Sequence, residues 1–210
     1  MADKTETTWL FEFIGEAWPI TLAAFLGAFA AFIFQKYFES VKQKNLDFSS
    51  GKRAQFVLVS QFTALSNLNK QYLNDKREDE NRFLTLHPIT LHHEIMSIHV
   101  ESLLYMLDDG KDADLLNKIL IADQKFKTAV GVLEQRSNYH SDFQHRAAEI
   151  GVEKALDTAT TAILTDMTNS LFDCFDDAMA ANKEVFEQLF TYLKNKFPKK
   201  VPLQYEEINL

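Results

Sequence analysis

A single cysteine, Cys174, occurs in 210 residues. One thiol excludes an internal disulfide framework and fits a reducing compartment. Proline and glycine are scarce, at four and six, and neither occurs from Val152 to Phe197. So few chain breakers, with eighteen phenylalanines, exclude a turn-rich β architecture and point to long helices. No Gly-rich phosphate loop and no Gly-x-Ser-x-Gly elbow is present. There is no basic excess either. Of 22 basic and 30 acidic residues, 4 and 5 precede Asn45, which leaves 18 and 25 after it. An acidic body excludes nucleic acid as the main partner. It also disfavours broad contact with anionic lipid, apart from a juxtamembrane lysine cluster.

What the chain does have is one uncharged stretch, Ala17 to Phe34, AWPITLAAFLGAFAAFIF. As a helix it spans about 27 Å, close to the hydrocarbon thickness of a bilayer. A cleaved signal peptide would carry a basic leader, whereas Asp3, Glu6, Glu12 and Glu16 here outnumber Lys4. Ala28-Phe29-Ala30 fits a cleavage pattern, but the apolar run continues through Phe32-Ile33-Phe34. A core helix rarely runs apolar around its whole circumference for this long. The stretch reads as a transmembrane helix. With no ionisable residue inside it, a proton relay is excluded.

The flanks predict the topology. Lys36, Lys42, Lys44, Lys52 and Arg53 follow the stretch and only Lys4 precedes it, so the N-terminus is expected outside and the body in the cytoplasm. Trp9 and Trp18 on the outer side, with Lys36, Tyr37, Lys42 and Lys44 on the inner side, are the expected interface residues. Pro19 is expected either to kink the helix or to occupy an early position in it. At 100° per residue, Ala23, Ala24, Gly27, Ala28, Ala30 and Ala31 share one side, and Leu22, Phe25, Leu26, Phe29, Phe32 and Ile33 the other. Ala23-x3-Gly27-x3-Ala31 is a ladder that lets two helices approach closely in lipid.

Downstream, the expected order is a break at Asn45–Gly51 and a helix from about Lys52 to Asn74. A solvated loop from Asp75 to Asn81 follows, closing at His87-Pro88. A third helix is expected over Thr90–Asp108, with Thr90 as N-cap and Gly110 just past its end. A fourth starts at Asp112 and either continues to Glu149 or breaks near Ser137. Val152–Phe197 predicts one long helix, or two with a bend near Ala181-Asn182. Beyond Pro198 the tail is expected to be extended, and it is the best exposed peptide for a partner. The predicted parts are thus residues 1–16 outside, 17–44 as membrane helix and extension, 45–197 as helical domain and 198–210 as tail.

Candidate chemistry is thin. His92, His93 and His99 lack the His-Glu-x-x-His spacing of zinc proteases. Asp142-Phe143-Gln144-His145 supplies one half of a di-iron bundle without its mate. Asp173, Asp176 and Asp177 read as a solvated acidic face around Cys174. The Arg-x4–6-His spacing of helical nucleases of the HEPN type is approached twice. Arg82–His87 has Phe83 where a polar residue belongs, and Arg136–His140 is one residue short.

The resulting expectation is an all-α, single-pass protein of the plasma membrane, in a bacterium the inner membrane. It is expected to act as a helical scaffold that takes no cofactor. Its partners are lipid and either a second copy or another membrane protein. The rival classes are a channel-forming or membrane-disrupting effector and a metal-dependent helical enzyme at the His92/His93/His99 cluster.

Overall fold

The computed structural model describes residues 4–91, 97–107 and 112–204, with side chains at Trp18, Pro19 and from Thr21 onward. The protein is all-α, and no strand occurs among the described residues. The chain divides into two units, residues 1–46 and 47–210. Helix α1, Lys4–Leu68, belongs to both. A π turn (Asn69–Leu73) and a 3₁₀ turn (Asn74–Lys76) follow, then the single-turn α2, Arg82–Thr85. A second 3₁₀ segment (Val100–Met106) leads to α3, Ala113–Ile150. The short α4, Val152–Ala155, joins α3 to α5, Thr158–Lys196.

The expected break at the end of the membrane helix is absent, and so are the two alternative ones further on. Asn45–Gly51 lies inside α1. Gly51 marks a close approach instead of a stop: a Cβ there would lie 2.5 Å from Leu193 Cδ2 and 2.8 Å from the Tyr105 hydroxyl. Pro19 lies well within α1, fifteen residues past its start, which corrects the early-position alternative. Neither Ser137 nor Ala181-Asn182 interrupts its helix.

The α3–α5 junction follows local rules. Gly151 adopts φ 88, open to glycine at no steric cost, and its N–H closes α3 on the Ala147 carbonyl at 3.0 Å. Asp157 then caps α5 by accepting the Thr160 N–H at 2.6 Å.

The second unit is a three-helix core. Val57 and Leu58 of α1 pack with Ile119 of α3 and Leu189 of α5, whereas Leu65 and Leu68 pack with Phe126, Leu133, Leu171 and Phe175. Phe143 meets Leu164 at the far end. These pairings make α5 antiparallel to both α1 and α3. Three polar side chains lie in phase with the apolar stripes where the first two clusters meet: Gln61, Asp123 and Asn182, all buried. Gln61 donates to Asp123 at 2.7 Å, and Lys127 pairs with the same carboxylate at 2.6 Å.

The expected third helix is corrected. Thr90, Leu91 and Ser97–His99 are not helical, and Val100–Met106 is 3₁₀. Residues 92–96 and Asp108 lie outside the described residues. The segment just before it, Phe83–Ile89, is held through its backbone. The Arg136 guanidinium, fully buried on α3, donates to the carbonyls of Phe83, Leu86 and His87 and to the Thr168 hydroxyl of α5. Ser137 donates to the Ile89 carbonyl and accepts the Ile89 N–H, both at 3.0 Å. His140 Nδ1 meets the Leu86 carbonyl at 2.9 Å.

Within the tail, Pro198, Lys199, Val201 and Gln204 are exposed, whereas Pro202 is buried and the Leu203 N–H donates to Gln55 Oε1 at 3.1 Å, so residues 202–203 pack on α1. Residues 205–210 lie outside the described residues.

Arg136→Ala is expected to cost about 3 kcal/mol or more, because it strips buried carbonyls of a charged donor. Arg136→Lys keeps the charge but not the fork, and should still lose about 1–2 kcal/mol. The urea midpoint of the near-ultraviolet signal in mild detergent measures both. A midpoint unchanged in both variants would mean that water can satisfy those carbonyls.

Candidate functional site

The first unit carries the feature that most needs a function. Its helix has a stretch long and apolar enough to cross a membrane, and none of that stretch is buried. Phe25 is 67% exposed, Phe34 63% and Trp18 65%, values expected of surface lysines and not of aromatic rings. A contiguous apolar surface of this size marks a lipid or protein interaction site.

Helical periodicity sorts the exposed side chains. Ala23, Ala24, Gly27, Ala28, Ala30 and Ala31 are all exposed and helical, and a Cβ at Gly27 would meet nothing within 4 Å. The opposite side carries the large residues, with Phe25 and Phe29 stacked at a centroid separation of 6.4 Å and an interplanar angle of 7°. Below them the character changes. Lys36 lies 5.8 Å over the Phe32 ring, Tyr37 meets Phe38 edge-on at 6.0 Å, and Gln35 bonds Glu39 at 2.9 Å. Lys42 and Lys44 are exposed one to two turns further on. Trp9 lies on α1, and its side chain is outside the described set.

The second unit offers less chemistry than its residue types allow. Among the described residues no group of three His, Cys, Asp or Glu side chains could hold a metal. His92 and His93 lie outside them, and His99 is exposed just before the 3₁₀ segment. Cys174 sits in a shallow groove with Ile121, Gln124, Lys125, Thr128 and Asp177. Burial, and then the carboxylates of Asp173 and Asp177, push its thiol pKa up, which opposes nucleophilic use.

The acidic face is partly engaged. Arg77 makes a two-pronged contact with Asp176 at 2.6 and 2.9 Å, and this hydrogen bonding raises the guanidinium pKa. Arg77 and Arg82 both lie 5.1 Å over the Phe172 ring. Arg82 also donates to the Arg77 carbonyl and to Asn169. Beside them opens a polar cleft of about 300 Å³ lined in part by Asp79, Glu80, Thr165 and Asn169. The arginine donors that face it already have partners.

Sequence reasoning sets Arg136 and His140 aside with the nuclease spacing. The structure brings Arg136, His140 and the Arg82–His87 segment together, but as a clamp on backbone carbonyls. A signal for this exists in the sequence. Phe126, Val130, Leu133, Ser137 and His140 continue one core stripe, so the last two are polar side chains at buried positions. The Arg77–Asp176 pair, 99 residues apart in sequence, has no such signal.

Burial pulls the Arg136 pKa down to about 10, and burial with the Arg136 charge lowers that of His140. A buried neutral histidine takes up a proton more readily when unfolded. Stability is therefore full above the unfolded value near 6.5, and is lost as pH falls from there towards the lower folded value. The thermal midpoint should drop between about pH 7.5 and 5.5, and His140→Asn should flatten that dependence. Asp79 and Asp157, whose pKa values are lowered by hydrogen bonds to Thr85 and to the Thr160 N–H, act only below about pH 4. An equal pH slope in wild type and variant would remove His140 as its source.

Comparisons with protein-family models, with curated proteins and with solved structures each found no match.

Proposed function

We propose that this chain is a single-pass membrane scaffold. Its apolar helix crosses the bilayer and associates with a second copy, and its helical body is carried in the cytoplasm. One observation carries the reading: an apolar helical stretch of membrane-spanning length with none of its surface buried. Leaving so many phenylalanines in water would cost about 2 kcal/mol per side chain, so lipid or protein must cover them.

Charge supports the orientation. The basic residues that flank the stretch lie almost all on its C-terminal side, which favours a cytoplasmic body and an external N-terminus. In a bacterium the membrane is the inner one. The lone cysteine agrees with a reducing compartment for the body. The two-sided span supports association. Lipid tails solvate the phenylalanine side, while the Ala23–Gly27–Ala31 side lets helix backbones come close enough for dispersion contacts. No chemical reaction enters this reading.

Two measurements test it. In mild detergent, light scattering should give the wild-type protein a defined oligomeric mass, and Gly27→Leu should shift it towards monomer. A monomeric wild type, or a variant of unchanged stoichiometry, would defeat the ladder. Cys174 should resist a membrane-impermeant maleimide in intact cells and react after lysis. Labelling in intact cells would reverse the topology.

A further inference from the structure

We infer that the end of the helical body from which the chain leads into the apolar helix is a docking surface for anionic lipid headgroups. The inference rests on the membrane reading above and extends it to the second unit.

The charge of that unit is unevenly placed. Lys194, Lys196, Lys199 and Lys200 fall within the seven residues KNKFPKK, with no acid among them, and Lys52-Arg53 adds two more charges on α1. These six are a third of the 18 basic residues from Asn45 onward, where 25 residues are acidic; without them the balance there would be 12 to 25. Tertiary packing gathers them. Phe197 meets Phe48 edge-on at 5.5 Å, and Gly51 lies against Leu193. The basic C-terminal end of α5 therefore adjoins the first two turns of α1 within the body. Lys52, Arg53, Lys194 and Lys199 are exposed there.

The aromatic setting is that of an interface. Lys200 lies 4.9 Å over Phe48 and 5.7 Å over Phe197, and Lys196 lies 5.3 Å over both Tyr105 and Tyr192. Val201, 68% exposed, adds an apolar group next to Lys199 and Lys200. Asp47 and Asp112 lie close enough to Tyr105 to act on its hydroxyl, so the surface is not purely basic, but its cations outnumber them.

Chain length brings this surface within reach of the membrane. The run of exposed aromatic residues that continues the apolar stretch ends at Tyr37 and Phe38, ten residues before Phe48. At 1.5 Å per helical residue the tether is at most about 15 Å. The headgroup layer is about 5–7 Å thick and the Debye length about 8 Å, and lysine side chains shorten the gap further. Each cation near an anionic leaflet adds to the attraction, which falls off within a Debye length.

The test compares amide hydrogen exchange of the full chain in nanodiscs of phosphatidylcholine alone and of phosphatidylcholine mixed with phosphatidylglycerol. Residues 191–204 should exchange about threefold or more slowly in the anionic discs, and high salt should remove the difference. Lys52→Gln/Arg53→Gln/Lys194→Gln/Lys199→Gln should abolish it, and the all-Arg counterpart of the lysine changes should retain it. Wild-type and variant circular dichroism in neutral discs should coincide, because all four side chains are exposed. Equal exchange in both disc types, with the chain incorporated in each, overturns this inference and leaves the membrane reading standing. A chain that enters neither disc type overturns both.

Discussion

A buried carbonyl must have a donor, and that requirement shapes the helical body. Among its described residues the chain from Asn74 to Asp112 contains one turn of α-helix and two 3₁₀ segments, and the carbonyls of Phe83, Leu86 and Ile89 take donors from outside it. Arg136, Ser137 and His140 do so from one face of α3. A guanidinium suits the task because its planar fork presents several donors in fixed directions. Its charge is compensated by carbonyl dipoles and a hydroxyl, none of them a carboxylate, and it persists at a lowered pKa. With the connector pinned, Leu86 and Ile89 can seal the core between α1, α3 and α5.

The two units meet opposite physical demands along one helix. In residues 47–68, α1 turns Leu58, Leu65 and Leu68 inward and keeps Lys52 and Arg53 outward, the pattern of a soluble amphipathic helix. Between Thr21 and Phe34 both sides are exposed and free of charge, distinguished by size and not by polarity. Water selects for the first pattern. A hydrocarbon solvent, where packing replaces the hydrophobic effect, selects for the second.

Of the histidines and carboxylates that drew attention as possible chemistry, His140 meets a carbonyl, Asp176 holds Arg77 and Asp177 pairs with Lys125. Each has a geometric role that needs no substrate. The cations gathered around Phe48 and Phe197 differ in this respect, because their exposed members point to solvent at the place where the chain leaves for the apolar helix.

The all-α class, the apolar helix and the approximate ends of α3 and α5 were legible from the residues alone. Each depends on periodicity, composition or a local stop such as Gly151 and Pro198; the start of α5 at Thr158, six residues past the expected Val152, was not read. The break at Asn45–Gly51 was misread, because a glycine that stops a helix and one that admits a neighbouring side chain look alike until Leu193 is in place. The helix expected over Thr90–Asp108 is absent at Thr90, Leu91 and Ser97–His99 and is 3₁₀ over Val100–Met106, because apolar residues at helical spacing, such as buried Leu103 and Met106, can be buried from an irregular segment as well as from an α-helix. Tertiary packing decided the Arg136 clamp, the Arg77–Asp176 pair and the gathering of lysines at Phe48. All three join residues far apart in the chain, and no local energy term records what a side chain will meet after the helices pack.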